Sequence, residues 1–188
     1  QPAVIQVYPG VYAEAITMEA YVDIVSVSGP EVTTIQQTTA TVVTGASNSR
    51  LSGFTINKTT DDATAAIVLT TTSPTLENLI ITGSGITSQV AISITTGSPT
   101  IKDVEIDNAL TGITTTTGST RIVNASIGLS TQPVTGISHT GTSGTTSIYN
   151  SIISSTTDDV LVSGSGGAVT SHSNSLQSSV NNFEADTG

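Results

Sequence analysis

The chain contains no cysteine and no tryptophan, and only 4 of its 188 residues are lysine or arginine, against 14 aspartate and glutamate. Without cysteine there is no disulfide framework and no thiolate to serve as nucleophile or metal ligand, and the zero count assigns no redox compartment. A net charge of −10, with fixed cations only at Arg50, Lys58, Lys102 and Arg121, would be repelled by nucleic acid and by anionic membrane surfaces, so neither is expected as a partner. No apolar run approaches the ~20 residues that a helical membrane span requires. Aromatic residues make up 3%. Tyr8, Tyr12 and Tyr21 fall in the opening segment, where packing can account for them, so with Tyr149 standing apart no long aromatic platform for a glycan is encoded.

What the chain does have is a repeat. From Leu51 onward one phrase, aliphatic, spacer, Asn or Asp, then two more aliphatics, recurs about 21 to 26 residues apart. It reads Leu76-Glu-Asn78-Leu79-Ile-Ile81, Ile101-Lys-Asp103-Val104-Glu-Ile106, Ile122-Val-Asn124-Ala125-Ser-Ile127 and Ile148-Tyr-Asn150-Ser151-Ile-Ile153. Leu51-Ser-Gly53-Phe54-Thr-Ile56 opens the series with glycine in the Asn slot, and Val169-Thr-Ser171 closes it in degraded form. A period in this range marks a solenoid, in which no unit buries its own apolar face and each must stack on its neighbours. Alternation inside the phrase has period two, as in Val104 and Ile106 against Glu105 and Asp107, so the units are strands.

A further apolar cluster precedes each phrase, at Val43, Ile67, Ile92, Ile113, Ile137 and Leu161. Three short strands per unit close a triangular coil. The expected fold is therefore all-β, a single-chain right-handed parallel β-helix of about eight rungs, with rungs about 4.8 Å apart. Thr and Ser, roughly a third of the residues, would cover the outside, while a mean hydropathy of +0.17 and evenly spaced Ile and Val argue for a packed, narrow core. The coil is assigned to residues 1–174. Residues 175–188 are assigned to a cap or a linker, because Leu176, Val180 and Phe183 fall at helical spacing in a segment that would close the open end as a short helix or loop. The Asn slot, Gly53, Asn78, Asp103, Asn124, Asn150 and Ser171, is expected to be a structural corner ladder: Asn, Asp and Gly tolerate a left-handed backbone, and stacked amides can bond rung to rung near the core.

The opening segment, Val4-Ile-Gln-Val-Tyr-Pro-Gly-Val-Tyr-Ala-Glu14, then Ala15-Ile-Thr-Met18, then Val22 to Gly29, then Thr33-Thr-Ile35, resembles the first rung of the pectate-lyase-like β-helix superfamily. Pectin methylesterases and many phage fibre or spike proteins share that opener. The resemblance implies the fold over most of the chain. In those relatives a short helix usually plugs the end of the coil before the first strand; together with the lack of an initiator Met or signal peptide, this leads to the expectation that the chain begins inside a larger or processed protein. The resemblance also implies what a site would look like: in lyases, clustered Asp or Glu holding Ca²⁺ beside an Arg or Lys base; in methylesterases, two Asp and an Arg on successive rungs within Gln-Asp and Asp-Phe-Ile-Phe-Gly phrases. Neither phrase occurs, so no catalytic residue is carried over.

Read for chemistry, Asp103, Glu105 and Asp107 are the densest acidic group and the candidates for Ca²⁺, which takes about six to eight oxygen ligands. The matching positions on flanking rungs, Ile80, Thr82, Ser126 and Gly128, supply no carboxylate, so a solvated acidic face is the favoured reading, with Lys102 a local neutraliser. The pairs Asp61-Asp62 and Asp158-Asp159 sit four rungs apart, about 19 Å. That is beyond the ~5 to 10 Å of paired glycosidase carboxyls, and both are expected in polar turns. His139 and His172 lack metal-motif spacing and are expected at the surface or in turns.

No catalytic, metal or cofactor site is assigned. The expected function is a non-enzymatic structural module of a phage or virus particle, a head decoration, head fibre or tail fibre at the virion surface or extracellular. Its expected partners are other virion proteins, its own copies (a trimer above all) and a host-surface glycan. The alternatives are a polysaccharide-binding or -degrading β-helix, such as a tailspike depolymerase or a pectate-lyase- or esterase-like enzyme, and a bacterial surface adhesin.

Overall fold

The structure, a computed structural model, describes residues 3–38, 40–85, 87–163, 165–176, 179–181 and 184–185. It is an all-β parallel solenoid of about seven turns. Among the described residues all strand pairing is parallel, and strands away from the two ends of the coil bond the strand one turn earlier and the strand one turn later. One sheet stacks eight strands, from Ile16–Thr17 through Val43–Thr44, Ile67–Leu69, Val90–Ile94, Thr111–Thr115, Thr135–His139 and Asp158–Val162 to Ser179–Asn181. The other has 13 strands, and its main path runs through Ala3–Val7, Val22–Ser26, Arg50–Lys58, Thr75–Thr82, Thr100–Asp107, Arg121–Ile127, Thr145–Tyr149, Ala168–His172 and Glu184–Ala185.

The second and third strands expected in each turn are, in the middle turns, one long strand bent at the Asn slot. Asn78, Asp103, Asn124 and Asn150 have φ of 51°, 54°, 52° and 47°, and Gly53 has φ of 83°. A single left-handed residue turns the chain without ending the ladder: Ile101 and Lys102 pair with Leu76 and Glu77, Asp103 is skipped, and Val104 to Asp107 pair with Leu79 to Thr82. The slot itself faces outward. Asn124 Nδ2 donates to Asp103 Oδ1 and Asn150 Nδ2 to Asn124 Oδ1, both at 2.8 Å, on the exposed side of the corner and not near the core. Ser171 is not in this ladder: it pairs with Ile148, and Ser173, with φ of 54°, holds the corner of that turn.

Between bends, period-two alternation sends one side chain in three columns to the axis. Val43, Ile67, Ile92, Ile113, Ile137 and Val160 form one column, all with 0% exposure. Leu161, expected in that column, points outward because the inward residues of its strand are Val160 and Val162. Leu51, Leu76, Ile101, Ile122 and Ile148 form the second column, and Ile35, Ile56, Ile81, Ile106, Ile127 and Ile153 the third. Each such side chain contributes up to ~1.5 to 3 kcal/mol, and only because the neighbouring turns cover it.

A second corner is built of glycine. Gly97, Gly118 and Gly144 have φ of 110°, 97° and 89°, and a Cβ on Gly118 or Gly144 would lie 1.9 Å from the carbonyl oxygen of the glycine one turn before. Those carbonyls accept from Ser119 N, Thr145 N and Ala168 N at 3.0, 3.0 and 3.1 Å, so the bare backbone is what lets the turns close together here. At the C-terminal end no helix forms among the described residues. Ser175–Leu176, Ser179–Asn181 and Glu184–Ala185 continue the parallel pairing onto Ile152–Ile153, Asp158–Val162 and Ala168–His172. At Leu176 and Val180 the helical spacing is overridden by the edge those strands offer, and Phe183 lies outside the described residues.

His139, expected at the surface, is fully buried at the end of Thr135–His139. Its Nδ1 lies 2.7 Å from Thr115 Oγ1 and 3.2 Å from Thr146 Oγ1, while Nε2 packs on Gly167 and has no hydrogen-bond partner among the described residues. Burial pushes its pKa below the ordinary 6.5.

Two outcomes test this packing. Gly118→Ala should lower stability by ~2 kcal/mol or more in denaturant unfolding, through a strained φ and the carbonyl clash. Gly10→Ala, whose Cβ would meet only the Tyr12 ring at 3.5 Å or beyond, should stay within ~0.5 kcal/mol. Because the folded state holds His139 neutral, its contribution is complete above the unfolded value of 6.5 and declines as pH falls through it. The drop in melting temperature between pH 7.5 and 5.5 should therefore be smaller in His139→Leu than in the wild type.

Candidate functional site

The sequence-level candidates are taken up by the architecture. Asp61 accepts from Thr87 N at 3.2 Å, from the Thr87 hydroxyl, and from Ser88 N and Oγ at 3.1 and 3.0 Å, stapling the loop of the next turn. The Thr87 contact is the main reason its pKa is lowered. Asp62 binds the Lys58 ammonium at 3.0 Å, and Lys58 is fully buried. Asp158 and Asp159 are buried in a strand and not exposed in a turn, with Asp159 Oδ1 accepting from Ser155 N and Oγ at 2.9 and 3.0 Å. Asp158 pairs with Thr135 and Val162 with His139, so the strand separates that acidic pair from the imidazole.

Asp103, Glu105 and Asp107 do not form a three-carboxylate cluster: Glu105 and Asp107 meet side by side, while Asp103 sits apart in the corner ladder. Asp103 accepts from Asn124, and Asp107 Oδ1 accepts from Ser130 N and Thr131 N at 3.1 and 3.4 Å. Glu105 has its pKa raised, first by burial and then by the neighbouring Asp107 and by Glu31. Among the described residues no three His, Cys, Asp or Glu side chains are grouped to hold a metal ion. Glu31, Asp103 and Glu105 instead line an open groove of about 260 Å³ beside the corner, shared with Asn78 and Asn124.

The chemistry collects on the other side of that corner. In the leg before each Asn, the residues on either side of the inward aliphatic point out, and parallel pairing stacks them in two columns. One runs Asp23, Arg50, Thr75, Thr100, Arg121, Ser147 and Thr170. The other runs Val25, Ser52, Glu77, Lys102, Val123, Tyr149 and His172. Three of the four fixed cations stand here, the fourth being buried Lys58.

Arg50 lies between two carboxylates, its Nη1 2.6 Å from Glu77 Oε1 and its Nε 3.4 Å from Asp23 Oδ2, and Lys102 Nζ closes on Glu77 Oε2 at 2.7 Å. The cations are the more exposed partners, at 38% for Arg50 and 41% for Lys102, against 15% for Asp23 and 14% for Glu77. Burial pulls the Glu77 pKa upward, but the hydrogen bonds and charges of Lys102 and Arg50 outweigh it and hold the carboxyl below its ordinary value. The same contact raises the pKa of Arg50 and of Lys102. Lys102 is therefore held charged and is no base, and Glu77 is held ionised and is no acid. Asp23, 3.4 Å from the guanidinium, is the more loosely gripped carboxylate, and the pair sets a carboxylate beside a group that can stabilise negative charge.

Farther along, the Arg121 guanidinium carbon lies 4.8 Å from the centroid of the Tyr149 ring, and His172 stacks on that ring at 4.7 Å with a 6° interplanar angle. Sequence reasoning missed Asp23, Arg50, Glu77, Arg121, Tyr149 and His172 as a set. The available signal was the spacer of the repeated phrase: Glu77, Lys102 and Tyr149 each sit one residue before the corner, and the spacer column is the outward one.

No protein-family model matches the sequence, and no curated protein matches it with significance. Among solved structures, the chain is similar over 100% of its length to 84% of a pectin methylesterase in complex with a hexasaccharide, with a TM-score of 0.64 and 12% identity. It is also aligned with 90% of a pectin methylesterase from Yersinia enterocolitica at a TM-score of 0.49 and 12% identity. At this identity the likeness establishes the fold, a right-handed parallel β-helix in those enzymes. It corrects the expectation of a non-enzymatic chain, since the solved structure aligned at a TM-score of 0.64 is that of an enzyme, and it lends nothing to the virion reading.

Glu77→Gln tests the charge network by leaving Arg50 and Lys102 facing an uncharged group. It should cost ~1 kcal/mol at low salt and less in 1 M NaCl. Because the folded pKa of Glu77 is depressed, its contribution is complete above the unfolded 4.5 and lost as pH falls through the folded value, so the wild-type advantage in melting temperature should vanish in acid.

Proposed function

We propose that the chain acts on a polysaccharide lying along the outer face of the leg before the corner, with Asp23 and Arg50 at the reacting position. The observation that carries this reading is the chain of contacts Asp23–Arg50–Glu77–Lys102, two carboxylates about one arginine on successive turns of an exposed parallel sheet, on a surface otherwise given to Thr and Ser. Asp23 serves as the carboxylate base or nucleophile and Arg50 stabilises the negative charge that develops on a substrate oxygen. Glu77, tied to Lys102, holds Arg50 in place. The whole-length likeness to a pectin methylesterase fold supports a carbohydrate substrate.

The test is to offer the purified protein methyl-esterified pectin, polygalacturonate and alginate, following methanol release, unsaturated-product absorbance and retention in affinity gels. Turnover of at least one polymer is expected, falling ~10²-fold or more in Asp23→Asn. Failure of every polymer to be turned over or retained by the folded protein would sink the reading. Retention without turnover would remove the roles given to Asp23 and Arg50.

A further inference from the structure

Arg121 differs from the other three fixed cations. Arg50, Lys58 and Lys102 each hold a carboxylate, whereas among the described residues Arg121 has no ion pair. It is exposed, in a chain whose net charge is −10. An unpaired guanidinium on a long side chain would ordinarily sample many rotamers. Here the Tyr149 ring one turn on supports it at 4.8 Å, and His172, stacked at 4.7 Å from the following turn, holds that ring in turn. Arg121 and His172 both pack on the Tyr149 ring, so the ring is engaged by the protein itself. Its part is to seat the guanidinium of an exposed arginine.

Hydroxyls flank this edge on both sides: Thr100 one turn before and Ser147 one turn after occupy the same outward column, with Ser147 Oγ accepting from Thr170 Oγ1 at 3.0 Å. Arg121 stands three turns beyond Arg50, about 14 Å along the axis at ordinary strand spacing. Across the corner, Glu31, Asp103 and Glu105 make the adjoining groove acidic, so of the two sides the one that carries Arg121 is the one that favours an anion.

We infer that Arg121, seated on Tyr149 and His172, is an anion-reading subsite that selects polysaccharides carrying carboxylate or sulfate groups over neutral ones. It rests on the reading that this face holds a polysaccharide, and it concerns selection, at a distance from the Asp23–Arg50 position. A planar guanidinium offers two parallel N–H donors to either anion, with the neighbouring hydroxyls completing the cradle.

The experiment measures retention of polygalacturonate, dextran sulfate and uncharged dextran in affinity gels for wild type, Arg121→Gln, Arg121→Lys and Tyr149→Leu. Their melting temperatures confirm folding. Wild type should retain an acidic polymer more strongly than dextran, and Arg121→Gln should weaken that retention ~10-fold, about 1.4 kcal/mol, without changing dextran retention. Arg121→Lys and Tyr149→Leu should fall between, and the preference should shrink as salt rises. The acidic polymer that loses affinity identifies the anion. Equal retention of both acidic polymers by wild type and Arg121→Gln overturns the subsite. Loss of the underlying reading shows separately, as a wild type that retains and turns over no polymer, acidic or neutral.

Discussion

In-register parallel pairing between successive turns is the constraint from which the other features follow. Once Ile101 lies beside Leu76 and Ile122, every other residue of those turns is fixed to a column, since side chains alternate faces and a slip of one residue would bring Lys102 and Glu77 into the core. The apolar columns then seal the axis, and the outward columns gain neighbours drawn from 21 to 26 residues away in the chain. Few charged residues are needed on such a surface, because strand-forming Thr and Ser keep it wet without repulsion between stacked like charges.

Holding that register through bends calls for corners that neither break nor lengthen a turn. Two devices do this. Asn, Asp and Gly at φ near 50° to 83° bend the long strands, and their side chains, where present, bond along the outside. Glycines at φ near 90° to 110° let backbone meet backbone on another edge. Carboxylates that suggested chemistry serve the same end: Asp61, Asp107 and Asp159 each accept backbone N–H groups that a loop would otherwise leave unpaired. What remains outside this scaffolding is the face from Asp23 to His172, where ion pairs and ring stacking join residues that make no repeat of their own.

The fold was legible because it is periodic: aliphatic positions recur and name the inward columns directly. The corner residues were legible for the same reason, apart from the last turn, where two residues of drift put Ser173 in place of Ser171. The C-terminal segment misled because helical spacing of three apolar residues is a weak local preference, and an open parallel edge takes up Leu176 and Val180 in strands. His139 misled because a lone histidine carries no pattern; its burial follows from the pairing of His139 with Val162 and Thr115, positions that face the axis.

Composition and spacing thus determined by themselves that the chain is a parallel coil of stacked strands, that its Asn slot is a corner, and that its core is a set of Ile, Leu and Val columns. They did so because each of these depends on residue type at a repeated interval. Which outward residues meet was decided only by the tertiary structure. Asp23, Arg50 and Glu77 are drawn from three different turns, as are Arg121, Tyr149 and His172. Their contacts depend on turn lengths that vary through the chain and on the face each side chain takes, so the site exists only once the turns are in register.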